Sequence, residues 1–573
     1  MTSTVRGTEI AAGRSGVGRL PVRRVGLAVL AAVVLVVSGC SSGGSKAAST
    51  TAPGGSAGSH PGADWKAPKC DRKVAAAPDA KPVKGSTSDF DVTSFDGTTI
   101  RIHWFPRAGS GGRTAPTVAM GPGWSLPGDT DDDPKSPAGP QSVLTIADLH
   151  AAGYNVVTWD PRGFGKSTGT VTVDSVAYEA RDVSTLIDWV AGQKGVALDA
   201  PGNPRLGMVG MSYGGGIQFV TAAIDCRVDV ITPTIAWNSL ATSLYPSETF
   251  KAGWGELLVS IATSAHLDPH ITSASADAGS TGILDQDDRM WFLDRGPDDV
   301  LAKIHVPTLI VQGTVDNLFP LAEGVRNYVA LSANGIPLAM TWFCGGHGVC
   351  NNPPDPEGYV RDAVLGWLAR YLDGKTTAEP VPAFQTTDQT GKVHVFDGFP
   401  VADAGAPVFA FADRGTLRLE PDGGSGPVTE VAKGDLIGTL AAEITPAKAT
   451  AALDVPVPLT VPGHRLLLGA PQLDLGYTCD LDAPATKPTR MFAQLVDDAT
   501  GRVVGNQITP IEITCDGLLH RADVAMEELA FAPGTGAKLT LQLVASTVAY
   551  AVPQMGGTVD FSRIELTIPT VEG

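Results

Sequence analysis

Four serines in this chain stand in the pattern Gly-x-Ser-x-Gly, centred on Ser41, Ser56, Ser167 and Ser212. Small neighbours at that spacing let a backbone turn sharply and present a hydroxyl as a nucleophile. With 67 glycines in 573 residues the pattern is expected by chance, so its surroundings must decide. Ser41 and Ser56 lie in a stretch of Ser, Gly, Ala, Thr and Pro with no strand or helix to position them. Ser167 lies in Asp160-Pro161-Arg162-Gly163-Phe164-Gly165-Lys166-Ser167, where one residue separates Gly163 from Gly165 and the spacing of a phosphate loop is not met. A turn in which its hydroxyl satisfies backbone groups is the expectation there. Ser212 differs: an apolar run at 206–209 precedes it, and a small-residue stretch through Ala223 can continue as a helix.

A serine hydroxyl is a weak nucleophile until a base takes its proton, and the base needs an acid to orient it. The buried-type run at 308–312 delivers Asp316 into the loop that follows, and the run at 338–343 leads to Cys344-Gly345-Gly346-His347-Gly348. Nucleophile, acid and histidine thus arrive in the chain order Ser212, Asp316, His347, each just past the end of an apolar run. Asp294, Asp298 and Asp299 are alternative acids, but they precede the relevant strand. An oxyanion needs donors as well. The backbone N–H of Tyr213 follows from the motif, and the turn Gly121-Pro122-Gly123-Trp124-Ser125 offers a second, at Trp124.

The elements that must carry these residues read as alternating strands and helices, the signature of a mainly parallel sheet covered on both faces. Strands are expected at 90–94, 99–105, 117–120, 155–159, 206–209, 228–235, 308–312 and 338–343. Helices are expected near 142–152 and 363–372, with a third through Val176, Ala180, Val183, Ile187 and Val190, capped by Asp174 or Ser175. From about 236 to 300 the alternation stops, and Trp237, Tyr245, Phe250, Trp254, Trp291 and Phe292 are scattered through helix-like sequence, as in a cap over the strand ends. His266 and His270 lack a neighbouring Glu, and Asp129, Asp131 and Asp133 run into Pro134, so neither group reads as a metal site. No metal or cofactor is expected. From 379 onward, Pro and Gly punctuation and short alternating runs read as an all-β sandwich.

Composition bounds the partners. The formal charge of −18 lacks the clustered Lys and Arg that a phosphate backbone requires, which excludes a nucleic-acid partner. Arg19, Arg23 and Arg24 precede the apolar run 25–37, which is short for a bilayer span and ends at Val37-Ser38-Gly39-Cys40. That box resembles a bacterial lipoprotein signal, which implies cleavage before Cys40, lipidation of its thiol and anchoring to the outer face of the cell membrane; both general and twin-arginine export remain open. The other cysteines, Cys70, Cys226, Cys344, Cys350, Cys479 and Cys515, are even in number, as in an exported disulfide-bonded protein. Proximity favours Cys344 with Cys350, a shared C-terminal domain favours Cys479 with Cys515, and Cys70 with Cys226 is the remainder. The expected organisation is a signal peptide at 1–39, a tether at 40–69, a catalytic α/β domain at 70–378 and a sandwich at 379–573.

Tyr178-Glu179-Ala180-Arg181-Asp182, the elbow at 207–214, the cap, Asp316, His347 and the β-rich C-terminal part resemble the X-prolyl dipeptidyl-peptidase and cocaine-esterase family of serine hydrolases. The resemblance implies an α/β-hydrolase fold with a C-terminal jelly-roll, whose strands would include 468–475 and 490–497. It also implies a Ser212–His347–Asp316 triad acting on a small ester or peptide. Members often place a tyrosine hydroxyl in the oxyanion site after the third strand, and Gly-Pro-Gly-Trp offers none. If the substrate is a dipeptide with a free amine, an acid must bind that amine, and Glu248 or Glu256 of the cap is the expected residue. The competing reading is a lipid-anchored protein that binds envelope glycan and carries an idle hydrolase domain.

Overall fold

The computed structural model describes residues 77–572 except 108–111, 137–142, 351, 403–404, 427–445, 460–464 and 535, together with 65–66, 68–70 and 72. The signal box, Cys40 and most of the expected tether lie outside the described residues.

The centre is an eleven-stranded sheet. Its strands in chain order are β1 (Ala80–Pro82), β2 (Asp89–Thr93), β3 (Thr99–Phe105), β4 (Thr117–Gly121) and β5 (Asn155–Trp159). A small hairpin of β6 (Leu198–Ala200) and β7 (Asn203–Pro204) stands apart from the sheet, which resumes with β8 (Leu206–Met211), β9 (Val228–Thr234), β10 (Thr308–Gly313) and β11 (Leu338–Phe343). It closes with β12 (Phe384–Thr387) and β13 (Val393–Phe396). The spatial order is β1-β2-β3-β5-β4-β8-β9-β10-β11-β12-β13. Pairing is parallel from β5 through β12 and antiparallel at both ends. The last two strands extend the sheet past the boundary expected at 378, because Met340, Thr341 and Trp342 of β11 pair with Phe384, Gln385 and Thr386.

Continuous apolar runs such as Thr117–Gly121 form these strands because both faces are covered. Alternation along each strand sends side chains to two cores. Met208 and Ile310 point toward helices α2 (Glu179–Val190), α3 (Tyr213–Ile224) and α8 (Leu321–Ser332). Val209, Leu309 and Val311 point toward α1 (Ile146–Ala152) and α9 (Tyr359–Tyr371). Helix α2 begins at Glu179, later than its apolar spacing predicts, and neither Asp174 nor Ser175 caps it. The Glu179 carboxylate is the reason: it accepts from Thr172 N (2.7 Å), Thr172 Oγ1 (2.5 Å) and Ser175 N (2.9 Å), holding 172–175 as a non-helical turn.

Between β9 and β10 the cap contributes α4 (Leu240–Leu244), α5 (Ala252–Ile261), α6 (Pro269–Thr281) and α7 (Gln286–Leu293). Its Trp237, Tyr245, Phe250, Trp254 and Phe292 are buried in one cluster with Trp124, Phe164 and Tyr213 beneath. Among the described residues no helix is long and apolar enough to cross a membrane.

The C-terminal part is a β-sandwich. One sheet is built on Val408–Ala412, Gly557–Ile568, Gln472–Leu481 and His520–Ala525, and the other on Leu453–Val457, Leu539–Val544, Arg490–Asp497 and Arg502–Val503. Leu473, Leu475 and Ile564 from one sheet meet Met491, Leu495 and Leu541 from the other in a common core. The strand Arg465–Gly469 joins sandwich and hydrolase. Its period of two sends Leu467 into the sandwich core and Leu466 and Leu468 into the sheet-domain core.

Arg162 forks across Asp182 of α2 with nitrogens 2.7 and 2.8 Å from its two oxygens, both side chains only 4% exposed. Removing Asp182 leaves that buried guanidinium with the more exposed Asp96 (3.1 Å) as its remaining partner and two of its N–H groups unpaired. Asp182→Ala is therefore expected to lower unfolding free energy by roughly 3–5 kcal/mol, read as a fall in the urea midpoint.

Candidate active site

Ser212 is the residue between β8 and α3, at φ 56° and ψ −116°. A non-glycine residue in that region stores roughly 1–3 kcal/mol of strain and persists only where its surroundings enforce it. Here they do. The Ser212 N–H donates to Thr234 O of β9 (2.8 Å), and its carbonyl accepts from Gly215 N (2.8 Å) and Gly216 N (2.9 Å). A β-carbon at Gly210 or Gly214 would stand 2.6 or 2.2 Å from Gly121 O, so the motif's two glycines let the end of β4 press against the elbow. Buried Gln218 braces the turn, donating to Gly210 O (3.1 Å) and Gly214 O (2.8 Å) and accepting from Thr232 N (2.9 Å).

Asp316 follows β10 in a fully buried loop. One carboxylate oxygen accepts from Leu318 N (3.0 Å) and Phe319 N (2.8 Å), and the other lies 2.7 Å from His347 Nδ1. His347 Nε2 is 2.8 Å from Ser212 Oγ. A carboxylate beside Nδ1 selects the tautomer protonated there, leaving Nε2 to accept the serine proton. The rings of Trp254 and Phe319 stand edge-on to the imidazole at 5.8 and 5.1 Å. His347 reaches Asp316 because Gly346, at φ 119°, carries no side chain: a β-carbon there would lie 2.5 Å from that of Asp316.

Four further residues support the acid and histidine loops. Buried Lys251, at the start of α5, donates from Nζ to Asn317 O (2.8 Å) and Leu318 O (3.0 Å). Desolvation lowers its pKa, opposed by the charges of Glu527, Glu323 and Asp316. Trp254 Nε1 donates to Asn317 Oδ1 (3.1 Å); it was expected in the cap but not as a tie to the acid loop. From the sandwich, Gln507 Nε2 donates to Asp316 O (2.7 Å) and Asn506 Nδ2 to Val349 O (3.0 Å). One turn of the C-terminal sandwich thereby holds both the acid loop and the histidine loop. Nothing local in the sequence marks Asn506 or Gln507 for that task; an isolated Lys in the apolar stretch 249–261 was the available signal for Lys251.

The remaining expected residues fall as follows. Tyr213 opens α3, so its N–H is among the helix-start donors without an intrahelical acceptor. Trp124 lines the cavity at Ser212, its indole N–H tied to Leu258 O of the cap at 2.9 Å. Glu248 and Glu256 are corrected: neither lines that cavity. Glu248 is exposed and pairs with Arg289 (2.8 Å), and Glu256 faces solvent from α5. Helical amphipathicity accounts for Glu256, since charge on a cap helix goes to its solvent face, and Glu248 ends the short exposed turn Pro246–Glu248. Ser167 completes a turn, donating to Asp160 O (2.6 Å) and accepting from Arg101 N (2.9 Å). Asp129, Asp131 and Asp133 each accept from the backbone N–H two residues on, at 2.9 to 3.0 Å. His270 Nδ1 lies 2.6 Å from Asp288 Oδ1. Among the described residues no group of His, Cys, Asp and Glu could hold a metal.

Three disulfides join Cys70 to Cys226, Cys344 to Cys350 and Cys479 to Cys515. In the chain-entropy picture the first, spanning 156 residues, contributes roughly 5 kcal/mol. The second, spanning 6 residues, contributes roughly 2 kcal/mol, and its main consequence is to close the loop that carries His347.

Residues 96–348 match the family model described as X-Pro dipeptidyl-peptidase (S15 family). A CocE/NonD family hydrolase from Staphylococcus aureus superposes with a TM-score of 0.61 at 14% identity, over 84% of this chain and 93% of its own. An alpha-amino acid ester hydrolase does so with a TM-score of 0.62 at 13% identity, over 86% and 98%. An uncharacterized 31.7 kDa protein of the traX-finO intergenic region of Escherichia coli is 27% identical over 205 residues, 32% of this chain and 69% of its own. At such identities the structural likenesses establish the fold: an α/β-hydrolase followed by a β-rich domain.

Asn506→Ala combined with Gln507→Ala removes both sandwich bonds to the Asp316 and His347 loops while leaving the cavity wall intact. The expected result is a fall in kcat of roughly 10- to 100-fold, the penalty of small misplacement of reacting groups, with KM little changed in steady-state ester hydrolysis.

Proposed function

We propose that the chain, whose residues 96–348 match the X-Pro dipeptidyl-peptidase (S15 family) model, is a serine hydrolase of ester or peptide bonds with Ser212, His347 and Asp316 as its catalytic triad. The observation that carries this reading is the unbroken hydrogen-bonded chain from Ser212 Oγ to His347 Nε2 (2.8 Å) and from His347 Nδ1 to Asp316 (2.7 Å). Ser212 Oγ attacks the substrate carbonyl as Nε2 takes its proton, and Asp316 stays ionised and stabilises the imidazolium. The backbone N–H groups of Tyr213 and Trp124 face the developing oxyanion. His347 then returns the proton to the leaving alcohol or amine, and an acyl-enzyme remains on Ser212. Water, deprotonated by the same imidazole, releases the acid in the second half-reaction.

The chain is further proposed to be exported and held at the outer face of a bacterial membrane by lipid on Cys40. The basic residues Arg19, Arg23 and Arg24, the apolar run 25–37 and the box Val37-Ser38-Gly39-Cys40 support this.

Wild-type protein is expected to react stoichiometrically with a fluorophosphonate probe, and Ser212→Ala to lose the label along with at least about 10⁴-fold in kcat. Unlabelled, folded wild type would sink the triad. For the anchor, cells fed an alkynyl fatty acid are expected to label the wild-type chain and not Cys40→Ser, and membrane fractionation should shift the variant to the soluble pool; equal labelling of both would refute lipidation at Cys40.

A further inference from the structure

The cavity that opens on Ser212 lies between the elbow and the cap. Val173 and Trp124 line it from the sheet domain, Ile271 and Phe292 come from α6 and α7, and Leu318 and Phe319 come from the loop just after Asp316. About 640 Å³ of space, solvent at its open mouth included, lies among these residues. Among its lining residues there is no Asp, Glu, Lys, Arg or His; the hydroxyl groups are those of Ser212, Ser275 and Tyr213.

Nearby acids do not supply the missing charge. Asp174 follows Val173 in sequence, yet its carboxyl is buried in a separate, smaller cavity with Glu179, Asp182 and Arg162. Burial there, with Glu179 close by, pushes it well above the usual carboxylate range. Glu248 is spent on Arg289 at the surface. Behind Leu318, Lys251 Nζ holds the Leu318 carbonyl, and the Asp316 carboxylate is already engaged by the Leu318 and Phe319 N–H groups and by His347. An ammonium group entering this cavity would lose its water and gain no counter-ion, the situation in which a buried charge is most unfavourable.

We propose, resting on the reading that Ser212 forms an acyl-enzyme, that this cavity receives the acyl group and that the enzyme is an esterase for uncharged hydrocarbon acyl chains longer than acetyl. It discriminates against acyl groups bearing a free α-amine, including amino-terminal dipeptides. Each methylene of the acyl chain that enters the cavity raises kcat/KM by up to about fourfold, the gain from burying one CH₂. An α-ammonium lowers it by at least about 100-fold, because no side chain on the wall can pair with it.

The test compares 4-nitrophenyl acetate, 4-nitrophenyl hexanoate and the 4-nitrophenyl ester of norleucine on the wild-type chain. Hexanoyl and norleucyl differ only by the α-ammonium, and each kcat/KM is divided by that ester's own rate with hydroxide. The expected order is hexanoate above acetate, with the norleucine ester at least about 100-fold below hexanoate. Fluorophosphonate titration of the same sample counts competent Ser212. Full labelling with the norleucine ester equal to or better than hexanoate overturns this inference and leaves the triad standing. Absence of both labelling and turnover overturns the triad, and the inference with it. Leu318→Glu, which sets a carboxylate on the wall, is expected to narrow the preference for hexanoyl over norleucyl by about 10-fold or more. An unchanged ratio in a folded, labelled variant would show that the Leu318 wall does not meet the α-carbon of the acyl group, and would overturn the assignment of this cavity.

Discussion

The rest of this structure depends on holding one serine in a backbone conformation that it would not adopt alone. Ser212 at φ 56° is stable only because three elements close on it. Strand β4 runs parallel to β8 with Gly121 opposite Gly210, so the Gly121 carbonyl lies where side chains at 210 or 214 would collide with it. The amide of Gln218 binds two carbonyls of the turn from inside α3, and Thr234 of β9 takes the Ser212 N–H. The strain is local; the packing that sustains it is spread over the middle of the sheet.

The partners of Ser212 are positioned differently. Asp316 and His347 sit on loops, and loops acquire precision only from what binds them. The acid loop is tied by the cap through Lys251 and Trp254 and by the sandwich through Gln507, while Asn506 takes the histidine loop. The geometry of the Ser212–His347–Asp316 hydrogen-bonded chain is therefore a property of hydrolase sheet, cap and sandwich together. The strand Arg465–Gly469 strengthens the union by placing alternate leucines in two different cores.

Most strands of the parallel sheet could be read directly, because a strand buried on both faces writes itself as a short apolar run. The chain order of Ser212, Asp316 and His347 at the ends of three strands could be read as well, since each follows such a run. The start of α2 could not, because the Glu179 carboxylate gathers the N–H groups of Thr172 and Ser175 into a turn, which apolar spacing does not encode. Strands β12 and β13 were assigned to the sandwich by composition, yet they pair with β11. Glu248 and Glu256 were placed toward a substrate by being in the cap, whereas their side chains belong to its outer face.

The sequence by itself determined the residue types, their order and the turns that present them: Gly-x-Ser-x-Gly on a strand end, an aspartate and a glycine-flanked histidine on two later ones. These are local facts, set by chain chemistry within a few residues. Which surfaces meet was decided only in three dimensions. Periodicity tells that a face of a helix or strand is apolar; it does not tell which other face covers it. For that reason the apolar wall over Ser212 and the sandwich residues that hold Asp316 and His347 appear only once the cap and the C-terminal domain are packed in place.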